Sequence, residues 1–156
     1  MNELQRIVDA YVEARARGER MALATVVMVE GSAYRRPGAR MLITERGNTT
    51  GTISGGCLER DVTERAAQVM ASRAALTVDY DTRGDEDIVW GLGLGCNGVV
   101  RVLLESLHED GAGARALEFI AECLRARKSG LLATVVAHNV KPSDGVAQPL
   151  KVGERL

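Results

Sequence analysis

The feature that most constrains the fold of this chain is a continuous apolar run, MALATVVMV, at residues 21–29. The run is rich in β-branched residues and has no alternating polar face, which is typical of a strand buried inside a sheet. No apolar run in the sequence approaches the length needed to cross a bilayer. The run therefore predicts a buried strand, around which the rest of the chain has to fold.

Helices and strands alternate along the rest of the sequence. Apolar residues at helical spacing predict helices over residues 3–17, from Leu58 to Met70, and around Leu117 to Leu124, whereas further strands are predicted at 41–44, 50–54, 75–80, 99–105 and 131–136. The strands at 41–44 and 50–54 flank a short polar turn and predict a hairpin. The pattern predicts a single α/β domain, with a mixed β-sheet and flanking helices, over residues 1–140, and a tail or linker at 141–156.

Composition and charge exclude several classes of partner. The chain has 156 residues and a formal net charge of -1, which gives no electrostatic reason to expect nucleic acid or an anionic membrane. Its N-terminus lacks the apolar core of a signal peptide, and its three cysteines are an odd number that fits a reducing compartment. The cysteine spacing matches no zinc pattern. We expect a cytoplasmic protein without a structural metal.

The stretch Ser54-Gly55-Gly56-Cys57 lies between a predicted strand and a predicted helix. Glycines at such a junction allow close approach of a ligand, and the N–H groups of a helix start hold anions and lower the pKa of a cysteine placed there. The stretch therefore suits an anion and an activated sulfur in one place. The alternative is a tight turn whose cysteine packs as a small hydrophobic residue.

A second glycine-rich stretch, GLGLGCNGVV at residues 91–100, contains Gly95, Cys96 and Gly98. A strand rather than a helix is predicted to follow it, so it is not a dinucleotide-binding loop. Cys96, like Cys57, lies in a glycine-rich turn, and two such thiols can share a soft ligand or form a redox pair. Cys123 lies beside the apolar face of the third predicted helix, where a structural role is expected.

The loop after the first strand, GSAYRRPGAR, supplies Ser32, Arg35 and Arg36. Guanidinium groups beside a glycine-rich turn can bind phosphate or carboxylate in a bidentate manner. The competing interpretation is a solvated surface loop. Glu59 follows the first glycine-cysteine stretch, where a favourable interaction with the helix dipole is a sufficient role.

Residues 14–27, ARARGERMALATVV, are similar to residues 124–136, LRARKSGLLATVV. Either two helix-to-strand units converged on similar sequences, or the second is a copy of the opening unit that is cut short. The second alternative would make the chain a fragment of something longer.

Three separated blocks, in the right order, resemble the XdhC/CoxI family. They are EGSAYRRPGARMLIT, GTISGGCLERDV and YDTRGDEDIVWGLGLGCNGVVRVLLE, within about Ala22 to Glu105. The pattern G-x-x-S-G-G-C-x-E in the middle block is specific. The resemblance implies a maturation factor that holds molybdenum cofactor for sulfuration and delivers it to a molybdenum hydroxylase, such as xanthine dehydrogenase or carbon monoxide dehydrogenase. The cofactor is then carried rather than used.

The resemblance also implies which residues bind the cofactor. They are Ser54, Gly55, Gly56 and Cys57 in one block, Gly95, Cys96 and Gly98 in another, and Ser32, Arg35 and Arg36 in the first. A thiolate is a suitable ligand for the metal of the cofactor, and arginines suit its phosphate. The implied partners are the apo-hydroxylase and a cysteine desulfurase.

Many family members continue into a Rossmann-like C-terminal domain, for which this chain has no room. We therefore expect either a fragment or a short form that works with a partner carrying that domain, and we expect a homodimer. Two alternatives to the carrier stay open: a thiol-based sulfurtransferase or redox enzyme using Cys57 or Cys96, and a module that only docks on the apo-hydroxylase.

Overall fold

A computed structural model describes residues 2–83, 98–137 and 151–154. Within these ranges the elements, in chain order, are α1 (Glu3–Ala16), β1 (Met21–Gly31), β2 (Arg40–Thr44), β3 (Thr49–Gly51), α2 (Glu59–Ser72), β4 (Leu76–Asp81), β5 (Gly98–Ser106) and α3 (Ala112–Ala126). Each helix that the sequence predicts is present, as is each predicted strand up to β5. None of the helices in the described ranges is long and apolar enough to cross a membrane.

The strands of the described residues form one five-stranded sheet in the order β3-β2-β1-β5-β4. The predicted α/β layout is confirmed, but all the strand pairs described are antiparallel, where the sequence predicted a mixed sheet. The reason lies in the connections. The crossover through α2 joins β3 and β4, which lie at opposite edges of the sheet and are not neighbours, so it creates no parallel pair.

β1 lies in the centre of the sheet and is buried on both faces. Ala22, Ala24 and Val26 face the core formed with α2, and Met21 and Leu23 face the core formed with α1 and α3. Because neither face of residues 21–26 meets water, the sequence there carries no polar alternation. The prediction of a buried strand is therefore confirmed, and two separate cores, one on each side of the sheet, bury it.

The strand predicted over residues 131–136 is not formed. Thr134 makes an isolated β-bridge, Leu131 is 89% exposed, and the backbone of Val135 bonds to Gly153 and Glu154. A strand needs a neighbouring strand to satisfy its N–H and C=O groups, and within the described ranges this segment has only that two-residue partner.

The connections gather at one end of the sheet. β1 ends there at Gly31, opposite Gly98 at the start of β5, and β4 ends beside them at Asp81. β2 begins and β3 ends at the same end, so the loop that leads from Gly51 into α2 is brought next to the loop that follows β1. These two loops carry the first two of the three sequence blocks.

Candidate functional site

The loop between β3 and α2 closes around the carboxylate of Glu59. Within the described residues this carboxylate accepts hydrogen bonds from the backbone N–H groups of Ile53, Ser54, Gly55 and Gly56 and from the hydroxyl groups of Thr52 and Ser54. The shortest of those from the backbone come from Ser54 and Gly56, each with a nitrogen-to-oxygen distance of 2.9 Å. The glycine-rich loop is thus a set of donors aimed at one internal anion.

These donors hold the carboxylate in its charged form. Burial acts to raise the pKa of Glu59, but the hydrogen bonds from the two hydroxyl groups and the loop backbone outweigh it and lower the pKa to about 2. The sequence predicted that the N–H groups of the first turn of the helix face an external anion, and that stays a prediction. The structure adds a different set of donors, the N–H groups of residues 53–56, which bind Glu59 and give it a larger role than the helix-dipole contact expected for it.

The backbone of the two glycines explains why they stand there. Gly55 and Gly56 have φ angles of +88° and +122°, a region that side chains disfavour. A Cβ atom on Gly55 would lie 2.7 Å from Cδ1 of Tyr34, because the tyrosine ring lies directly over this glycine. The first and second sequence blocks are therefore in contact through this pair, and the other side of Tyr34 is open, since the residue is 71% exposed.

Glu3, at the start of α1, bonds both to the loop after β1 and to the loop between β3 and α2. One oxygen of its carboxylate accepts a hydrogen bond from the guanidinium group of Arg35, and the other accepts one from the backbone N–H of Thr52 at 3.1 Å. Arg35 is thus engaged within the fold rather than extended toward a ligand. Arg36 is exposed and makes no ion pair with any residue that the structure describes.

Gly98, from the third sequence block, contacts the loop after β1. A Cβ atom on Gly98 would lie 2.4 Å from the carbonyl oxygen of Glu30 and 2.8 Å from that of Ser32, so only glycine fits where β5 meets the end of β1. Thr82 holds Gly98 from the other side, since its hydroxyl group donates to the Gly98 carbonyl at 2.9 Å. Ser32, Gly98 and the end of β4 are therefore close neighbours.

Cys57 lies half-buried between these loops. With Tyr34, Ser54 and Thr82 it lines a small cavity of about 20 Å³, which is room for about one water molecule. Pockets for drug-sized ligands are usually about 300–1,000 Å³, so a larger ligand would lie on the open surface beside the cavity. That surface contains Tyr34 and the exposed Gly55 and Gly56, and Arg36 is exposed in the same loop as Tyr34.

The structure thus brings together predicted site residues from all three blocks: Ser32 and Arg35, the stretch 54–57, and Gly98. Arg36 is exposed in the loop after β1, and no contact among the described residues places it beside the others. Gly95 and Cys96 lie outside the described residues, so whether Cys96 is near Cys57 stays a prediction. Cys123 lies in α3, and its sulfur is close to Gly130, where an added Cβ atom would lie 2.7 Å from it. Among the residues described, no group of His, Cys, Asp and Glu side chains is placed to hold a metal ion.

Three residues of this site, Glu3, Tyr34 and Thr82, were not predicted from the sequence. Glu3 and Thr82 lie outside the glycine-rich stretches, and no spacing rule connects them to Cys57. The signal for Glu59 was present in G-x-x-S-G-G-C-x-E, where an acid follows closely spaced glycines. Only the positive φ angles of Gly55 and Gly56, however, turn the backbone donors toward its carboxylate.

Comparison with known proteins gives consistent matches. Residues 14–81 match the family described as XdhC and CoxI. The chain is 37% identical over 129 residues to a probable xanthine dehydrogenase subunit of Bacillus subtilis, covering 83% of this chain and 38% of that protein. It is 34% identical over 103 residues to the molybdenum cofactor insertion chaperone PaoD of Escherichia coli, covering 65% of this chain and 31% of that one.

A solved structure supports the same assignment. The crystal structure of a protein described as a xanthine dehydrogenase from Bacillus halodurans matches with a TM-score of 0.70 and 35% identity, over 84% of this chain and 38% of that chain. This chain therefore spans well under half the length of each of these three proteins.

Proposed function

The chain belongs to the XdhC and CoxI family, and from this we propose that it binds molybdenum cofactor and helps to deliver it to a molybdenum hydroxylase. One observation on this chain's own residues supports the proposal. The three sequence blocks typical of the family meet at one end of the sheet, around the thiol of Cys57.

The relatives support the class of function. One is named a molybdenum cofactor insertion chaperone and another is named as part of xanthine dehydrogenase. Because this chain spans only 38% and 31% of the xanthine dehydrogenase protein and the chaperone, their whole activities come to it as proposals. The proposed role is binding and hand-over without turnover, in the cytoplasm, with the apo-hydroxylase and a cysteine desulfurase as partners.

The open surface at the site has chemistry that fits the cofactor, which carries a phosphate and a metal with soft ligands. The thiolate of Cys57 is a soft ligand for that metal, and Arg36 is an exposed guanidinium group suited to phosphate. The cavity at Cys57 is too small to enclose a pterin. The cofactor would therefore lie across Gly55 and Gly56, beside Tyr34.

The other predicted residues have supporting roles in this proposal. Ser54 shapes the loop through Glu59, and Arg35 fixes the loop after β1 through Glu3. Gly98 allows β5 to reach Ser32. Gly95 and Cys96 belong to the proposed site through the family resemblance, with Cys96 as a second soft ligand.

Native mass spectrometry under anaerobic conditions tests the proposal. The wild-type chain, Cys57→Ala and the matched control Cys123→Ala are each incubated with molybdenum cofactor. We expect an adduct near one to one in the wild type and in Cys123→Ala, and at least about tenfold weaker retention in Cys57→Ala. An adduct that both variants retain equally would contradict the role of Cys57. No adduct in any sample would contradict binding by this chain and favour a docking role.

A further inference from the structure

The two similar sequences at residues 14–27 and 124–136 make the same backbone hydrogen bonds to the turns that follow them. In the first, the N–H of Val26 donates to the carbonyl of Ala39 at 2.9 Å, and the N–H of Gly38 donates to the carbonyl of Val26 at 2.8 Å. In the second, the N–H of Val135 donates to the carbonyl of Glu154 at 2.9 Å, and the N–H of Gly153 donates to that of Val135 at 2.8 Å. Val26 and Val135 hold the same position in the shared LATVV sequence.

The turns that bring these partners back also correspond. Ala39 donates to the carbonyl of Arg36 at 3.1 Å, and Glu154 donates to that of Lys151 at 2.9 Å. The glycine before each donor has a positive φ angle, +96° at Gly38 and +86° at Gly153. The sequence that follows is also similar, since Gly-Ala-Arg-Met at 38–41 corresponds to Gly-Glu-Arg-Leu at 153–156. In each segment two consecutive residues bond to one valine, which is a β-bulge. Two unrelated segments would not be expected to share this bulge, the turn and the sequence.

The helices before the two segments end in the same sequence, although the capping residue is right-handed in the first helix (φ -86°) and left-handed in the second (φ +53°). α1 and α3 both end in Arg-Ala followed by a capping arginine, Arg17 or Arg127. The cap N–H bonds back to the carbonyl groups three and four residues earlier, at Ala14 and Glu13 in the first helix and at Leu124 and Cys123 in the second. The correspondence in sequence therefore reaches back to the end of each helix, and the correspondence in backbone hydrogen bonds covers the strand-like segment and the turn after it.

The two copies differ in what covers them. Leu23 and Ala24 are fully buried, with β2 and β5 on the two edges of β1. Their counterparts Leu132 and Ala133 are half-exposed and exposed. Within the described residues, no strand pairs with residues 131–133, although these belong to the same apolar sequence.

We propose that residues 123–137 and 151–154 are a second copy of the α1–β1–turn unit, and that residues 131–136 receive an antiparallel strand that continues in the same polypeptide after Glu154, as β2 follows Ala39. The first copy supplies the register. Thr25 pairs with Arg40 and Ala24 with Met41, and Thr134 already makes a β-bridge at the position equivalent to Thr25. The strand received would pair next with Ala133 and Leu132. This inference does not depend on the proposed function.

Hydrogen exchange measured by mass spectrometry tests the proposal with an internal control. The sequence LATVV occurs at 23–27 and at 132–136, so the intrinsic exchange rates are closely matched. In the chain of 156 residues we expect the amides of 132–136 to exchange at least about 100-fold faster than those of 23–27. The chain is then extended after Leu156 with a copy of residues 42–51, the remainder of β2 and the hairpin to β3.

With the extension, the proposal requires exchange at 132–136 to slow at least about tenfold, while 23–27 stays protected and reports that the domain is folded. A control extension with proline in place of its two central strand residues should leave exchange at 132–136 fast. Unchanged exchange with the unmodified extension would overturn the proposal. Protection of residues 132–136 in the unextended chain would overturn it too. Protection that is lost on dilution would indicate pairing with a second copy, and protection independent of concentration would indicate a partner within the same chain.

Discussion

At the scale of single residues, Glu59 does most to define the candidate site. Its carboxylate lies inside the loop rather than toward solvent and is bound by the N–H groups of residues 53–56. The loop therefore has a fixed shape before any ligand arrives, and Cys57 is positioned by it. A carboxylate used in this way is a positioning group, and its removal should affect the fold of the loop first.

We expect Glu59→Gln to lower the free energy of unfolding by about 2 kcal/mol, because one oxygen is replaced by an amide that cannot accept the backbone N–H bonds. The matched control is Glu64→Gln on the outer face of α2, where the ion pair with Arg60 is largely exposed. The control should cost less than about 0.5 kcal/mol. Urea unfolding of the three proteins measures both values, and equal stability of Glu59→Gln and wild type would contradict the role described for Glu59.

The same carboxylate predicts a pH dependence. The pKa of Glu59 is about 2 in the folded chain, against an ordinary value of 4.5. Because the folded-state pKa is the lower one, the unfolded chain binds a proton first as the pH falls. The stabilisation by Glu59 is therefore fully present above pH 4.5 and is lost as the pH falls through 4.5 toward 2.

We expect wild type to lose more unfolding free energy than Glu59→Gln between about pH 7 and about pH 3, because other carboxylates titrate alike in both proteins. Urea unfolding at the two pH values measures the difference. Parallel losses in the two proteins would show that Glu59 is not held in its charged form by the loop.

At the scale of elements, the sequence predicted β1, the hairpin of β2 and β3, and the three helices, because each has a periodicity that its surroundings preserve. β3 is shorter than expected and ends at Gly51, since the chain turns from Thr52 onward to surround Glu59. The expected strand at 131–136 is absent for the opposite reason, because its local sequence suits a strand but no neighbouring strand is described for it. Strand formation depends on a partner that local sequence cannot supply.

This difference can be measured with matched substitutions in the shared LATVV sequence. Leu23→Ala removes a fully buried side chain between the sheet and the α1 and α3 helices, and we expect a cost of about 3 kcal/mol. Leu132→Ala changes the same residue in the same local sequence but at a half-exposed position, and it should cost less than about 1 kcal/mol. Thermal or urea unfolding compares them, and similar costs would mean that residues 131–136 are buried in solution.

At the scale of the whole molecule, the sheet is covered on both faces but keeps two edges within the described residues. They are β3, with three residues, and β4, with six. An edge strand presents unpaired N–H and C=O groups, and pairing of the longer edge with a second copy is a common route to a dimer. For the homodimer expected from the sequence, we therefore predict an interface through β4.

We expect size-exclusion chromatography with light scattering to give a dimer across a wide range of concentrations. The variant Leu131→Ser should give the same mass, since Leu131 is exposed in the segment proposed to pair within the same polypeptide. A monomeric wild type would contradict the assignment to β4. A dimer that dissociates in Leu131→Ser would move the interface to residues 131–136.

The sequence by itself determined which segments are helical or strand-like, that β1 is buried, and that a cysteine follows two adjacent glycines. These properties depend on local periodicity and backbone freedom, which a sequence expresses directly. Only the tertiary structure decided that the loop donors bind Glu59, that Arg35 pairs with Glu3, and that one LATVV segment is buried while the other is largely half-exposed. Each of these depends on groups from distant parts of the chain meeting in space, and their energies exist only once the sheet has brought those parts together.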